Sequence, residues 1–293
     1  MTARLICYSV PVESFRKMTE LLVSKARKRL PSWATATIGI SITVGIWWLS
    51  AITVFASVGR RPDGSGGAIP TPLAVLTQLL EDGFEFYWRN AAVTLTEASI
   101  GFFWGNLLAL AFAAIALILP KLENLTTQIA VITYCIPIVA IGPIVRLVVG
   151  APDSGEPAGA AIVLAALSVF FTTMVGALTG VKQTDKRMLD VVSAYGGGAW
   201  QRLVKVQLLS ALPSIFAAFK IAAPAAFLGA ILGEYVGGPD LGFGPAMVNA
   251  QQSLEIARVW GVALVSGLIA GAGYALFGLI GKWLTPWAKA GVR

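Results

Sequence analysis

The sequence predicts an all-α integral membrane protein with about six transmembrane helices. Three observations carry that prediction. Of the 293 residues only 13% are charged while 56% are hydrophobic, and the mean hydropathy is +0.75. A water-soluble chain of this length needs far more charge to cover its surface. The apolar residues gather into six runs, at about 34–58, 91–119, 125–149, 158–180, 213–237 and 257–281. A helix of about 20 apolar residues crosses the roughly 30 Å of bilayer hydrocarbon, and only helices or closed barrels satisfy their backbone groups there. Lys and Arg, finally, collect in alternate connections. One set is the tail with Arg4, Arg16, Lys17, Lys25, Arg27, Lys28 and Arg29, the segment with Lys182, Lys186, Arg187, Arg202 and Lys205, and the end with Lys282, Lys289 and Arg293. The other connections hold Asp63, Glu81, Asp82, Glu85, Asp153, Glu156, Asp240 and Glu255. The positive-inside rule then puts both termini in the cytoplasm of an inner or plasma membrane, with an even number of spans. That rule also explains the net charge of +7. The cations are spread over membrane-flanking segments, which argues against nucleic acid as a partner.

Residues 1–33 form a basic cytoplasmic tail. Between Val12 and Leu30, Phe15, Met18, Leu22, Lys25 and Arg29 recur at helical spacing, the pattern of an amphipathic helix on the inner surface. A tail of about 33 residues before a run of about 25, with no A-x-A site, does not read as a cleavable signal. The first span, 34–58, carries no charge, and Trp47 and Trp48 lie mid-run, facing lipid or a neighbouring helix. An outer loop, 59–90, opens on turn chemistry from Gly59 to Gly67. Within it Thr71 can cap a helix with Pro72 in its first position, running to about Asp82 with Leu73, Leu76, Leu79 and Leu80 on one face.

Residues 91–287 form the core, with five spans. Gly101 and Gly105 in the second span permit close helix contact. Pro137 and Pro143 in the third each free a backbone carbonyl, so this span either lines a pathway or carries a kink inside a packed helix. The fifth has Pro224 at its middle and Gly229, Gly233 and Gly237 at every fourth position; the sixth has Gly267 and Gly271. Such spacing suits a packed bundle or a dimer. A short tail, 288–293, closes the chain.

There is no histidine, and Cys7 and Cys135 stand far apart, which argues against a disulfide framework and against zinc, copper or haem. No G-x-x-x-x-G-K-[ST] cradles phosphates: Gly281-Lys282-Trp283 lacks the hydroxyl and the upstream glycine. Arg146 and Glu234 stand near the outer ends of the third and fifth spans. They pair, or Arg146 guides an anion, or both snorkel at the interface. Glu97 reads as a helix-end charge nearer the outer surface and Lys220 as a snorkelling anchor.

The most informative stretch is the cytoplasmic segment 181–212. Ser193, Ala194, Gly196, Gly197 and Gly198 are small enough for close contact, and Asp190 suits a helix start. Tyr195 and Trp200 are costly to leave bare. The segment reads as a docking element for a soluble partner rather than a plain basic connector.

Several patterns recur together. Asp190-Val191-Val192, Gly196, Val206, Leu208, Leu209 and Pro213 stand where E-A-A, its glycine and a later I-x-L-P are expected in a known family. Pro70-Thr71-Pro72, Thr94-Leu95 with Gly101-Phe102, Pro137, Ala140, Pro143 and Gly150, and Glu234 with Leu241-Gly242-Phe243-Gly244 follow in order. Over roughly 68–287 the chain thus resembles the transmembrane permease subunit of a binding-protein-dependent ABC importer, nearest the sulfonate/taurine/nitrate branch. Asp190 for Glu, two valines for alanines, Leu209 for Pro, and Glu97 where the branch has Arg are its departures. The resemblance implies a type I permease bundle that moves a small solute, such as a sulfonate, taurine or nitrate. It implies two ATP-binding subunits that use ATP and Mg, with no cofactor and no catalysis in this chain. It also implies an extracytoplasmic solute-binding protein and a second permease copy, forming a homodimer. The coupling residues are then Asp190, Ser193, Ala194, Tyr195, Gly196, Gly197, Gly198, Trp200, Val206, Leu208 and Pro213. The pathway residues are Pro137, Pro143, Arg146, Pro224 and Glu234. A self-contained secondary transporter or channel would need coupling carboxylates at the midplane, and the middle thirds of the spans hold almost none. An intramembrane enzyme would need a nucleophile beside a base, and no such cluster stands out.

Overall fold

The computed structural model describes residues 31–59, 67–153, 156–237 and 239–289. The expected amphipathic helix at Val12–Leu30 lies outside them. The chain divides into two compact units after Pro72.

The first unit contains α1, Ser32–Ile52. Ile38, Ile40, Ile42, Ile46 and Leu49 all face outward, as on a helix apolar all round. Thr37, Thr43 and Ser50 bond back along the helix, to Trp33 O, Gly39 O and Trp47 O, so these hydroxyls need no water. The helix stops short of the end of the apolar run; residues 53–59 are turns that close with Ala68 N donating to Val58 O. Trp47, expected to face lipid or a helix, donates its Nε1 proton to Pro70 O at 3.1 Å.

In the second unit, α2 (Pro72–Ile118) breaks at Gly83, where φ is 73° and ψ 165°. Its first arm ends at Asp82, where the sequence puts the end of the surface helix. The second arm runs on without a loop, so the helix begins well before the expected span at 91. The predicted third span is two helices, α3 (Glu123–Cys135) and α4 (Ile138–Val149), bent by 98°. Pro137 causes the break: a proline pushes the residue before it out of the helical region, and Ile136 sits at φ −72°, ψ 124°. At about 1.5 Å per residue neither piece alone crosses the hydrocarbon. Pro143 lies inside α4 without ending it.

The core is built on α5 (Gly159–Lys182) against α8 (Leu208–Gly237). Their glycines fix an antiparallel pairing. A Cβ on Gly180 would stand 3.0 Å from Ala211 Cα, and one on Gly233 would stand 3.0 Å from Ala160 O. The second arm of α2 packs on α5 in the same way: a Cβ on Gly101 would stand 2.5 Å from Ala165 Cβ. In lipid, where apolar burial gives little drive, such close backbone approach is what holds helices together. The buried side chains are correspondingly small, with Val169, Met174, Phe227 and Phe243 filling between alanines. α9 (Phe243–Gln252) and α10 (Ile256–Leu284) complete the unit against α8. Gly267 and Gly271 of α10 have nothing within 4 Å of a Cβ position among the described residues. Among the described residues, five helices are long and apolar enough to cross a membrane, or six if the bent pair counts as one span.

Candidate functional site

Two places gather the residues of interest, at opposite ends of the α5–α8 pair. The first is the segment joining those helices. It folds as α6 (Lys186–Ala194) and α7 (Ala199–Arg202), followed by one π turn, Leu203–Gln207. The cap of α6 is Asp185, whose Oδ1 accepts from Arg187 N at 2.9 Å. Asp190 therefore stands mid-helix and not at a helix start, a correction to the sequence reading. Asp directly before Lys-Arg-Met-Leu is the capping signal that points to the right residue.

At the end of α6 the chain reverses through Gly196, at φ +77°, with Gly196 N donating to Ser193 O and Gly197 N to Val192 O. This is the left-handed helix stop that favours glycine. Gly197 is required for a different reason: a Cβ there would stand 2.7 Å from Val192 O. Gly198 meets neither constraint, and its N–H is taken by Gln201 Oε1 at 3.1 Å. No residue of α6 or α7 is buried. Tyr195 is 90% exposed, Trp200 63%, Val191 57% and Met188 56%. Asp190, Ser193 and Ala194 are exposed beside them. Val206 sits in the π turn, Leu208 opens α8 and is itself exposed, and Pro213 lies within α8, so these three lead from the segment into the bundle.

At the other end lie the residues expected along a pathway. Pro143, Arg146, Leu147, Gly150, Ala151 and Val236 line an open recess of about 550 Å³. Arg146 Nη1 donates to Val236 O at 2.8 Å, holding α4 to the end of α8. Pro137 forms the α3–α4 break, and Pro224 is carried inside α8 without interrupting it. Glu234 does not pair with Arg146 and does not snorkel. It is 1% exposed, and Gly244 N donates to its Oε2 at 2.6 Å.

Glu97 is not a surface helix-end charge either: it is fully buried, and Ala158 N donates to its Oε1 at 2.6 Å. Asn90, Thr94 and Glu97 share one face of α2, spaced four and three apart. Asn90 Oδ1 accepts from Gly242 N at 3.1 Å and Thr94 Oγ1 from Phe243 N at 3.0 Å. The starts of α5 and α9 have no side-chain cap of their own, since Ala158 and Gly242 precede them. Residues distant in sequence supply the missing acceptors. Gly242 and Gly244 leave room for this, because a Cβ on either would stand 2.6 Å from atoms of Glu234. The sequence reading passed over this junction. The signal for it was the carboxylate at Glu97 in place of Arg, with Glu234 retained.

Asp82 ties the first arm of α2 to α10. Arg258 donates to its Oδ1 through Nε and Nη2 at 2.9 and 2.7 Å. Gln78 Nε2 and Tyr87 OH each add a bond at 2.9 Å. Lys220 places its Nζ 4.2 Å from the centre of the Tyr274 ring.

Comparison with known proteins bears on both places. The family described as "Binding-protein-dependent transport system inner membrane component" matches residues 91–292. A probable ABC transporter permease protein of Haemophilus influenzae is 29% identical over 67% of this chain and 77% of its own length. The riboflavin transport system permease protein RibX of Chloroflexus aurantiacus is 26% identical over 90% of this chain and 96% of its own. Among solved structures, an inward-facing MetNI methionine ABC transporter aligns with a TM-score of 0.57 at 19% identity, over 72% of this chain and 98% of that one.

Proposed function

This chain belongs to the family of binding-protein-dependent transport system inner membrane components, and from that premise we propose how it works and what it carries. Its fold is that of a type I ABC importer permease, all-helical and multi-pass, and its class is transport. The proposal is that two ATP-binding subunits grip two copies of this chain through α6 and α7. Their nucleotide cycle rocks the pair between inward-open and outward-open forms. A solute-binding protein delivers the cargo on the outer side, and both termini lie in the cytoplasm.

The observation that supports this most is the bare aromatic face of α6 and α7. Tyr195 and Trp200 stand exposed on two short helices that bury nothing of their own. Buried aromatics are the anchors of protein interfaces, and an unpartnered pair beside a glycine stop fits a groove on another subunit. The carriage of motion is then mechanical. α6 and α7 lead through the π turn directly into α8, and α8 reaches Glu234 and Val236 at the far end. The chain supplies no nucleotide chemistry; ATP and Mg belong to the partners.

For the cargo we propose a small organic anion such as a sulfonate or taurine, or nitrate. Support comes from the motif resemblance and from Arg146, the cation beside the recess between α4 and α8. The likeness to a riboflavin permease makes a flavin the competing cargo. The test is to purify the cognate solute-binding protein and identify its bound ligand, then to assay uptake in vesicles holding the full complex. An anionic ligand taken up only with ATP supports the proposal. A bound flavin replaces the cargo, and uptake by this chain alone without ATP removes the mechanism.

A further inference from the structure

Four oxygens belong to the Glu97 and Glu234 carboxyls, and the backbone serves two of them. Ala158 N donates to Glu97 Oε1 and Gly244 N to Glu234 Oε2. The other two, Glu97 Oε2 and Glu234 Oε1, are buried and meet no donor among the described residues. The two side chains adjoin each other. Thr94 borders Glu234 as well, but its one hydroxyl proton is directed to Asn90 O at 3.2 Å. Lent to Glu234, it would still leave Glu97 Oε2 bare.

Among the described residues no cation stands within salt-bridge reach of either carboxyl. Arg146 is held at Val236 O, and Arg258 is held by Asp82 and Glu255. α5 and α9, which pack against the pair, contribute no ionisable side chain near it: α5 carries only Lys182, at its far end, and α9 has none. Two adjacent carboxylates shut away from water and from any counter-charge cannot both stay ionised.

We infer that Glu97 and Glu234 form a proton-binding site, one proton bridging Glu97 Oε2 and Glu234 Oε1. The proton supplies the missing donor for both oxygens at once. The single negative charge that remains is spread over two carboxyls, each against the N-terminus of a helix of ten residues or more, where the helix dipole favours it. The bridge also joins α2 to α8 directly, at the point where α2 holds the starts of α5 and α9 and α8 holds that of α9. It is a property of this chain's own packing, independent of the cargo and of the ATPase.

The test uses the full chain in lipid nanodiscs, with the variants Glu97→Gln, Glu234→Gln and the two combined. A single glutamine can stand in for the protonated partner: its carbonyl accepts from the backbone N–H and its amide donates across the gap. Two glutamines cannot, because both amides then point donors at each other. The expected result is a carboxylic-acid C=O infrared band at neutral pH that shifts in D2O and is lost in either single variant. Melting temperatures of the two singles match the wild type, and the double falls below both by more than the sum of their changes. If the double does not accumulate, the band and the two singles decide. The inference is overturned by the absence of such a band. It is also overturned if the singles melt higher than wild type, as relief of two facing charges would produce. Stabilisation by sodium or calcium that the single variants lose would put a metal cation in the gap instead.

Discussion

Replacing Asp82 by alanine should loosen the joint between the first arm of α2 and α10. The Asp82 side chain is 1% exposed and receives four hydrogen bonds, two from Arg258 and one each from Gln78 and Tyr87. Breaking a fully buried pair by removing one partner costs about 3–5 kcal/mol. Here the Arg258 side chain is 28% exposed and keeps Glu255, so it can partly rehydrate. That reduces the ionic share to about 2 kcal/mol. Tyr87, itself buried, loses the acceptor for its hydroxyl, which adds about 1 kcal/mol. The total is about 3 kcal/mol, read as a lower melting temperature of the purified chain in nanodiscs. A double-mutant cycle with Arg258→Met isolates the pair and should return a coupling of about 1–2 kcal/mol. A loss for Asp82→Ala under about 0.5 kcal/mol, or strict additivity in the cycle, would show that the joint is held by packing alone and would refute the reasoning.

The glycines separate cleanly into those that matter within the chain and those that do not. Gly105→Val should lower the melting temperature, since a Cβ there would stand 2.8 Å from Ala166 Cα; overpacking of this kind costs about 1–3 kcal/mol. Gly271→Val should leave the melting temperature of the single chain unchanged, because no atom of the described residues lies within 4 Å of a Cβ there. In the linker, Gly196→Ala should cost about 1 kcal/mol for its left-handed backbone and weaken capture of the ATPase, while Gly198→Ala should do neither. Co-purification at matched expression checks the pair. Trp200→Ala, which removes a largely exposed aromatic, should lower ATPase affinity at least about tenfold with little change in melting temperature.

The helices that run through apolar sequence without a proline, α5 and α10, are legible from composition because nothing inside them competes with the helix. Pro213 and Pro224 do not end α8, although an isolated helix would suffer from either; packing on α5 through Gly229 and Gly233 holds it continuous. Pro137 does end its helix, because Ile136 is forced out of the helical region and the flanking pieces have separate packing to follow. Proline content alone does not distinguish these outcomes; the neighbours do. The exposed segment was legible because Tyr195 and Trp200 are wrong for a plain loop. Its cap is Asp185 and not Asp190, because Asp185 directly precedes the helical Lys-Arg-Met-Leu and accepts from Arg187 N, whereas Asp190 lies a turn further in.

The Glu97–Glu234 junction was the least legible feature. Glu97 and Glu234 are far apart in sequence, and each alone looks like a charge near a helix end. Their partners, Ala158 N and Gly244 N, are backbone groups that no side-chain pattern announces. Besides the carboxylate at Glu97 itself, the helix starts at Ala158-Gly159 and Gly242-Phe243, which lack any capping residue of their own, hint that acceptors must come from elsewhere.

The central claim is that α6 and α7 are the surface an ATPase holds. The most direct measurement is thiol accessibility at position 195, using Tyr195→Cys in a chain with Cys7→Ser and Cys135→Ser. With Tyr195 90% exposed in the free chain, a maleimide should label that site fast when the chain is alone and at least tenfold more slowly once the ATPase subunits are bound. Equal labelling with and without the ATPase, in a complex verified to be assembled, would contradict the account.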